Sequence, residues 1–462
     1  MRRAVLLTVC LAFAPAAPAF AQTTVAAELP AGIAARGRDS ELGFAEFDRL
    51  MLARHGEGET GRAALKHLLN ARVLDALAKE AKLVLGEHDV QKRLDQIEKD
   101  IAASGEKGGL SAYLKSNGIS LATFKEFLRL GIIQETLARR ALGIPEGKPV
   151  SGESQELWLD QVMGARGVDY PAPPWPDGVA ARCGDVSVTV DAFAAHLRLQ
   201  VDRATLREDC FQALLAKRLR ARLPALTDAA VERAVDTELA RRRAEFAADP
   251  KNQGLSYEQA AAATGIRPES LRDDPAVRAA ALAHLWVDTT WGADGLKRVY
   301  QDERAHFDGR YGEAYRVRIL FLRAAVLKNQ LNPRSFEEAE RELGLLRAEI
   351  KSEADFKRLA ATRSEDVPTR DKEGLFDWIT RGDERLPGDA RSAIFRDGSP
   401  LADDRRLVGP VRSSGGVLLI WVGDRRAPPP WETMASYVHR ELRKRIMDEA
   451  LVPADVNTFL EE

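Results

Sequence analysis

The stretch Gly409-Pro-Val-Arg-Ser-Ser-Gly-Gly-Val-Leu-Leu-Ile-Trp-Val422 decides the reading of the C-terminal third of the chain. Its last six residues, Val417 to Val422, are apolar throughout. A run of that length and content fits a strand buried on both faces of a small sheet. Working outward, Tyr315 to Leu322 is a second β-prone run. Between the two, Ser335-Phe-Glu-Glu338 has the spacing of a capping box, in which serine and glutamate side chains satisfy each other's free N–H groups. Phe336, Ala339, Leu343, Leu346 and Ile350 then recur at three and four residues, which predicts a helix with one apolar face. Asp355 to Ala360 begins another short helix. The pattern predicts an α+β unit over 315–424.

The pieces Asp355-Phe356, Leu359-Ala360, Ser364-Glu-Asp366, Gly374-Leu-Phe-Asp-Trp378, Leu386-Pro387, Ile394-Phe395, Gly409-Pro-Val411 and Gly416 to Val422 occur in this order over about a hundred residues. In content and spacing they resemble a parvulin-type (PpiC-like) peptidyl-prolyl isomerase domain, or rotamase. The resemblance implies a four-stranded antiparallel sheet with helices. It also implies a substrate cup at Phe376, Leu386, Ala390 and Phe395, and a catalytic position at Asp366.

Such an enzyme forms no covalent intermediate. It lowers a barrier of roughly 18–20 kcal/mol to twisting an amide, with an apolar cup for the proline ring and polar groups that favour the twisted state. In parvulins the polar groups are two inward histidines on neighbouring strands plus a Cys or Asp. On the alignment the histidine positions read Arg318 and Leu418. Leu418 cannot hydrogen-bond, and the alignment allows Arg318 to pair with Asp366. Ala390 stands where the family often has an aromatic ring, a loss of the order of 1.5–3 kcal/mol of apolar contact. These departures predict weak or absent turnover.

Upstream the chain repeats itself. Gly32-Ile-Ala-Ala-Arg36 matches Gly178-Val-Ala-Ala-Arg182, and the same offset of 146 carries Phe47 onto Phe193, Leu68-Leu69 onto Leu214-Leu215 and Arg72 onto Arg218. At an offset of 147, Ile119 falls on Ile266 and Phe124 on Leu271. Each copy opens with a short β-type segment and continues as amphipathic helices. This layout resembles the SurA and PrsA group of exported folding factors. The expected organisation is an α+β chain: a first SurA-N-like helical repeat over 32–143, a proline-rich linker over 144–178 containing Tyr170-Pro-Ala-Pro-Pro-Trp-Pro176, a second helical repeat over 179–300, the parvulin-like domain, and a helix over 431–450. The apolar stripe of that last helix, with Met434, Val438, Leu442 and Ile446, is expected to pack back on the helical lobes, with packing on the parvulin unit as the alternative.

Arg2 and Arg3, the apolar run Ala4 to Phe13 and the small residues of Ala19-Phe20-Ala21 predict a signal peptide over 1–21 and a periplasmic destination. No later run approaches the roughly 20 apolar residues of a membrane span, so no membrane anchor is expected. Formal net charge is −2, or −4 once Arg2 and Arg3 leave, and advertises no nucleic acid. Cys183 and Cys210 are left as free thiols or a pair. The seven histidines are scattered, and no metal-ligand, phosphate-binding or nucleophile motif is found. Hence metal and cofactors are expected to be none, and each lone histidine, His67 and His284 included, reads as packing or surface. Three functions remain open: a chaperone binding unfolded or extended polypeptides, such as outer-membrane or secreted proteins; an active prolyl isomerase; and an envelope-assembly scaffold.

Overall fold

In a computed structural model the described residues are 29–461, except 105–107, 117–118, 147, 176, 265, 329–333, 397–400 and 402–404. The expected signal peptide lies outside them. The chain divides into two units, Met1–Leu282 with Ala450–Glu462, and Ala283–Glu449.

The first unit holds both repeats. Strands β1 (Ile33–Gly37) and β2 (Ser40–Gly43) lead into helix Phe44–His55 and then the long helix Glu59–Glu80. In the second copy, after the short β3 (Val168–Asp169), strands β4 (Val179–Cys183) and β5 (Val186–Thr189) lead into helices Val190–Leu197 and Arg203–Ala221. Both strand pairs are antiparallel, and both carry a bulge at the same place, after Ile33 and after Val179. Phe47 and Phe193 are fully buried in their copies. The start signals are chemical: the side chains of Thr189, Asp202 and Thr227 each accept the N–H three residues on and so cap their helices.

The copies are intertwined. Strands β1 and β2 pack on helix Arg203–Ala221 of the second copy, while β4 and β5 pack on helix Glu59–Glu80 of the first. Cross-copy ion pairs follow, Arg198 with Asp48 at 2.9 Å and Lys217 with Glu46 at 2.6 Å. Each copy closes a satellite core with its later helices: Leu94, Leu110 and Leu114 with Ile119 and Phe124 in one, Val235, Leu239 and Leu271 with Ile266 in the other. Cys183 and Cys210 are free and buried.

Two expected boundaries shift. The stretch 144–178 is mostly not a linker: Gly152–Arg166 is a helix capped by Ser151, with Trp158, Leu159 and Met163 buried. Its apolar residues recur at helical spacing, and that outweighs the prolines, which cluster only after Asp169. The 283–300 segment, expected in the second repeat, groups instead with the C-terminal unit.

In that unit β6 (Ala314–Arg323), β7 (Leu375–Thr380), β8 (Leu407–Ser413) and β9 (Gly416–Arg426) form an antiparallel sheet of order β7-β6-β9-β8. Helix Phe336–Glu349 begins with the expected Ser335/Glu338 capping box. It covers one face of the sheet together with Glu353–Arg363, around Leu320, Leu322, Phe356 and Leu419. The fold is thus α+β, mostly helical with one small four-stranded sheet. Helix Trp431–Ala450 packs beside the helices that precede β6: Tyr437 stacks on Tyr311 at 4.5 Å, and Arg445 binds Glu303 bidentately at 2.6–2.7 Å.

Candidate functional site

Directly opposed residues of an antiparallel pair share a face. In the register of β6 with β9, Leu418 stands opposite Phe321 and Ile420 opposite Ile319, whereas Arg318 stands opposite Trp421. Arg318 and Leu418 therefore lie on opposite faces. The residues sharing the face of Leu418 are Ile319 and Phe321. A shift of one residue in a strand alignment moves a side chain through the sheet, so Arg318, expected beside Leu418 as one of two inward-facing positions, does not share its face. Arg318 also does not pair with Asp366. Its Nε donates to Glu353 at 3.1 Å and its Nη1 to the carbonyls of Lys372 and Glu373 at 3.3 and 3.0 Å.

The residues expected to form a substrate cup pack together as one cluster. Leu386, Ala390 and Phe395 pack with Leu418, Ile319 and Tyr315 on this face, and Phe376 lies against them. Helix Gly388–Ile394 supplies Ala390 and is followed at once by Phe395, whose ring meets Tyr315 edge-on at 5.3 Å. Leu386, Ala390 and Phe395 are 3%, 0% and 3% exposed, so a proline ring entering here would displace them. Phe376 keeps some surface, with the Arg385 guanidinium 5.2 Å over its ring. Gly409, at φ +105°, lets β8 approach β9: a Cβ there would meet the Leu418 carbonyl oxygen at 2.5 Å.

Asp366 ends a loop tied to β6 and caps the short helix that follows. Ser364, buried, accepts from the Phe321 N–H at 3.1 Å, and the Glu365 N–H donates to the Phe321 carbonyl at 2.8 Å, which ties the loop to β6. The Asp366 carboxylate accepts from the Thr369 N–H at 3.2 Å and from the Thr369 hydroxyl, and caps the short helix Val367–Arg370. Glu365 binds Arg334 at 2.9 Å and accepts from the Arg323 N–H at 2.7 Å. The partners of this second carboxylate leave no mark in sequence spacing, since they lie 31 and 42 residues away.

The helical unit carries a second candidate site that sequence reasoning missed. A groove of about 730 Å³ is bounded by Leu65 and Arg62 at the start of helix Glu59–Glu80, by Tyr170 and Trp175, and by Ile266 and Pro268. The Trp175 indole N–H donates to the Pro171 carbonyl at 2.8 Å, which folds the proline segment into one wall. The only hint in the sequence was the proline cluster itself, since the other walls come from two distant helical regions.

A four-stranded antiparallel sheet flanked by helices, with this pocket cluster on one face, defines a parvulin-like domain. Residues 326–424 match the family of the PPIC-type PPIase domain, or rotamase, and the chain carries a peptidyl-prolyl isomerase-family domain there. Among solved structures it is similar to the peptidylprolyl isomerase PrsA from Bacillus anthracis, at 13% identity over 54% of this chain and 95% of that one, with a TM-score of 0.27. A PpiC-type isomerase domain is 25% identical over 26% of this chain and 97% of its own, with a TM-score of 0.20. A SurA-like chaperone of Campylobacter jejuni is 16% identical over 48% and 89%, with a TM-score of 0.22. No curated protein matches the chain.

Proposed function

We propose that this protein is a periplasmic folding factor that holds extended, apolar-rich segments of unfolded exported proteins, and that its PPIC-type domain turns over prolyl bonds weakly or not at all. The observation that carries the reading is the composition of the sheet face. Ile319, Phe321 and Leu418 stand where a polar pair would have to favour a twisted amide, and none of them can donate or accept a side-chain hydrogen bond. The carboxylate of Asp366, the expected catalytic position, is engaged by Thr369. Holding needs a broad apolar surface instead of a precise constellation, and the groove beside Leu65, Tyr170 and Trp175 supplies one. Among the described residues no helix is long and apolar enough to cross a membrane. The periplasmic destination rests on the signal-like first 21 residues.

One preparation tests both halves. Acceleration of Xaa–Pro isomerisation in a short peptide is expected to be absent, while aggregation of an unfolded outer-membrane protein is expected to be suppressed. Tyr170→Ser, on an exposed wall of the groove, is expected to weaken that suppression. Turnover that Asp366→Ala abolishes would overturn the reading in favour of an active isomerase. Failure of both assays would favour a scaffold.

A further inference from the structure

Among the described residues, one cluster outside these sites brings together the side chains that hold transition metals. His284 and Asp288 are four residues apart on helix Pro275–Thr290 and so share one face. His439 reaches them from helix Trp431–Ala450. All three belong to the C-terminal unit. Their candidate ligand atoms lie within 4.8 Å of one another. His439 Nε2 is 3.1 Å from one Asp288 oxygen, and His284 Nε2 is 3.8 Å from the other. The two imidazole rings sit 4.1 Å apart, tilted by 43°.

We propose that His284, Asp288 and His439 bind a divalent transition ion of the zinc class. A tetrahedral ion with bonds of about 2.0–2.2 Å holds its ligand atoms about 3.4 Å apart, so three candidate atoms already within 4.8 Å of one another need only side-chain adjustment to close on it. Two imidazoles and one carboxylate suit zinc, cobalt, nickel or copper better than calcium or magnesium, which prefer an all-oxygen shell. One ion satisfies all three groups. Asp288 is 54% exposed, so a water can complete the shell, as in three-ligand zinc sites. The ion would tie helix Trp431–Ala450 to the end of helix Pro275–Thr290. The sequence shows no such motif because its third ligand comes 151 residues after Asp288.

The test uses the full chain after chelator treatment. Zinc titration by calorimetry is expected to show one equivalent bound, cobalt to show tetrahedral d–d absorption, and zinc to raise the melting temperature. Asp288→Asn and His439→Gln are each expected to weaken binding at least about tenfold, while His88→Gln, an exposed histidine elsewhere, leaves it unchanged. Asp288→Asn can retain the hydrogen bond to His439, so its melting temperature without metal, compared with wild type, separates lost ligation from lost folding. Absence of stoichiometric binding, or equal binding by wild type and the folded Asp288→Asn variant, overturns the proposal.

Discussion

The Asp366 carboxylate accepts from the N–H and hydroxyl of Thr369, three residues on, which is the geometry of a helix N-cap. Removing it frees an N–H at the start of Val367–Arg370. Asp366→Ala is therefore expected to cost about 1 kcal/mol of stability, and Asp366→Asn only a few tenths, because asparagine caps as well. A shift of the denaturant midpoint for Ala with none for Asn supports a capping role; equal shifts would point to the charge. The apolar residues that cluster around Leu418 were recognisable in the sequence by type and order. The face that Arg318 occupies was not. Strand parity depends on where β6 is bulged, and the bulges of β6, at Tyr315/Val317 against β9 and at Val317/Arg318 against β7, leave no mark in composition.

At the scale of elements, the repeat was legible because both copies keep the same apolar positions at one offset, and secondary structure follows those positions. Their exchange of partners was not, since a strand pair of nine residues can rest on either long helix without changing its pattern. One consequence of the exchange is measurable. His67 on helix Glu59–Glu80 stacks on His196 of helix Val190–Leu197 with ring centroids 5.5 Å apart. Burial, and then the neighbouring His67, hold the His196 imidazole below its ordinary value, and its Nε2 is buried without a hydrogen-bond partner. The folded state thus binds fewer protons than the unfolded chain below about pH 6.5. Stability from this group is full above that pH and is lost as pH falls through it. Denaturant midpoints are expected to drop between pH 7.5 and 5.5, and His196→Gln to flatten part of that drop. An identical pH slope in the variant would refute the assignment.

At the scale of the whole chain, the two copies differ in where their third strand originates. The second copy takes it from Val168–Asp169, immediately upstream, which pairs with β4. The first takes it from Asn457–Thr458, 421 residues beyond Arg36, which pairs with β1 through Ala35 and Arg36. Phe459 then meets Phe44 and Phe47 edge-on at 5.2 and 5.7 Å, as Trp175 meets Phe193 at 6.1 Å in the other copy. The helical unit is completed only once Asn457–Thr458 has been made, after the whole PPIC-type domain. Two paired residues give no periodicity to detect, so this closure was invisible in the sequence, which pointed instead to the apolar stripe of helix Trp431–Ala450. Phe459→Ala removes most of a half-buried ring and is expected to cost about 2 kcal/mol. Hydrogen exchange locates the loss: amides of Ala35 and Arg36 should exchange faster, while those of β6 and β9 keep their protection. Equal loss of protection in the parvulin-like sheet would show that the C-terminal residues do not act on the first repeat in particular.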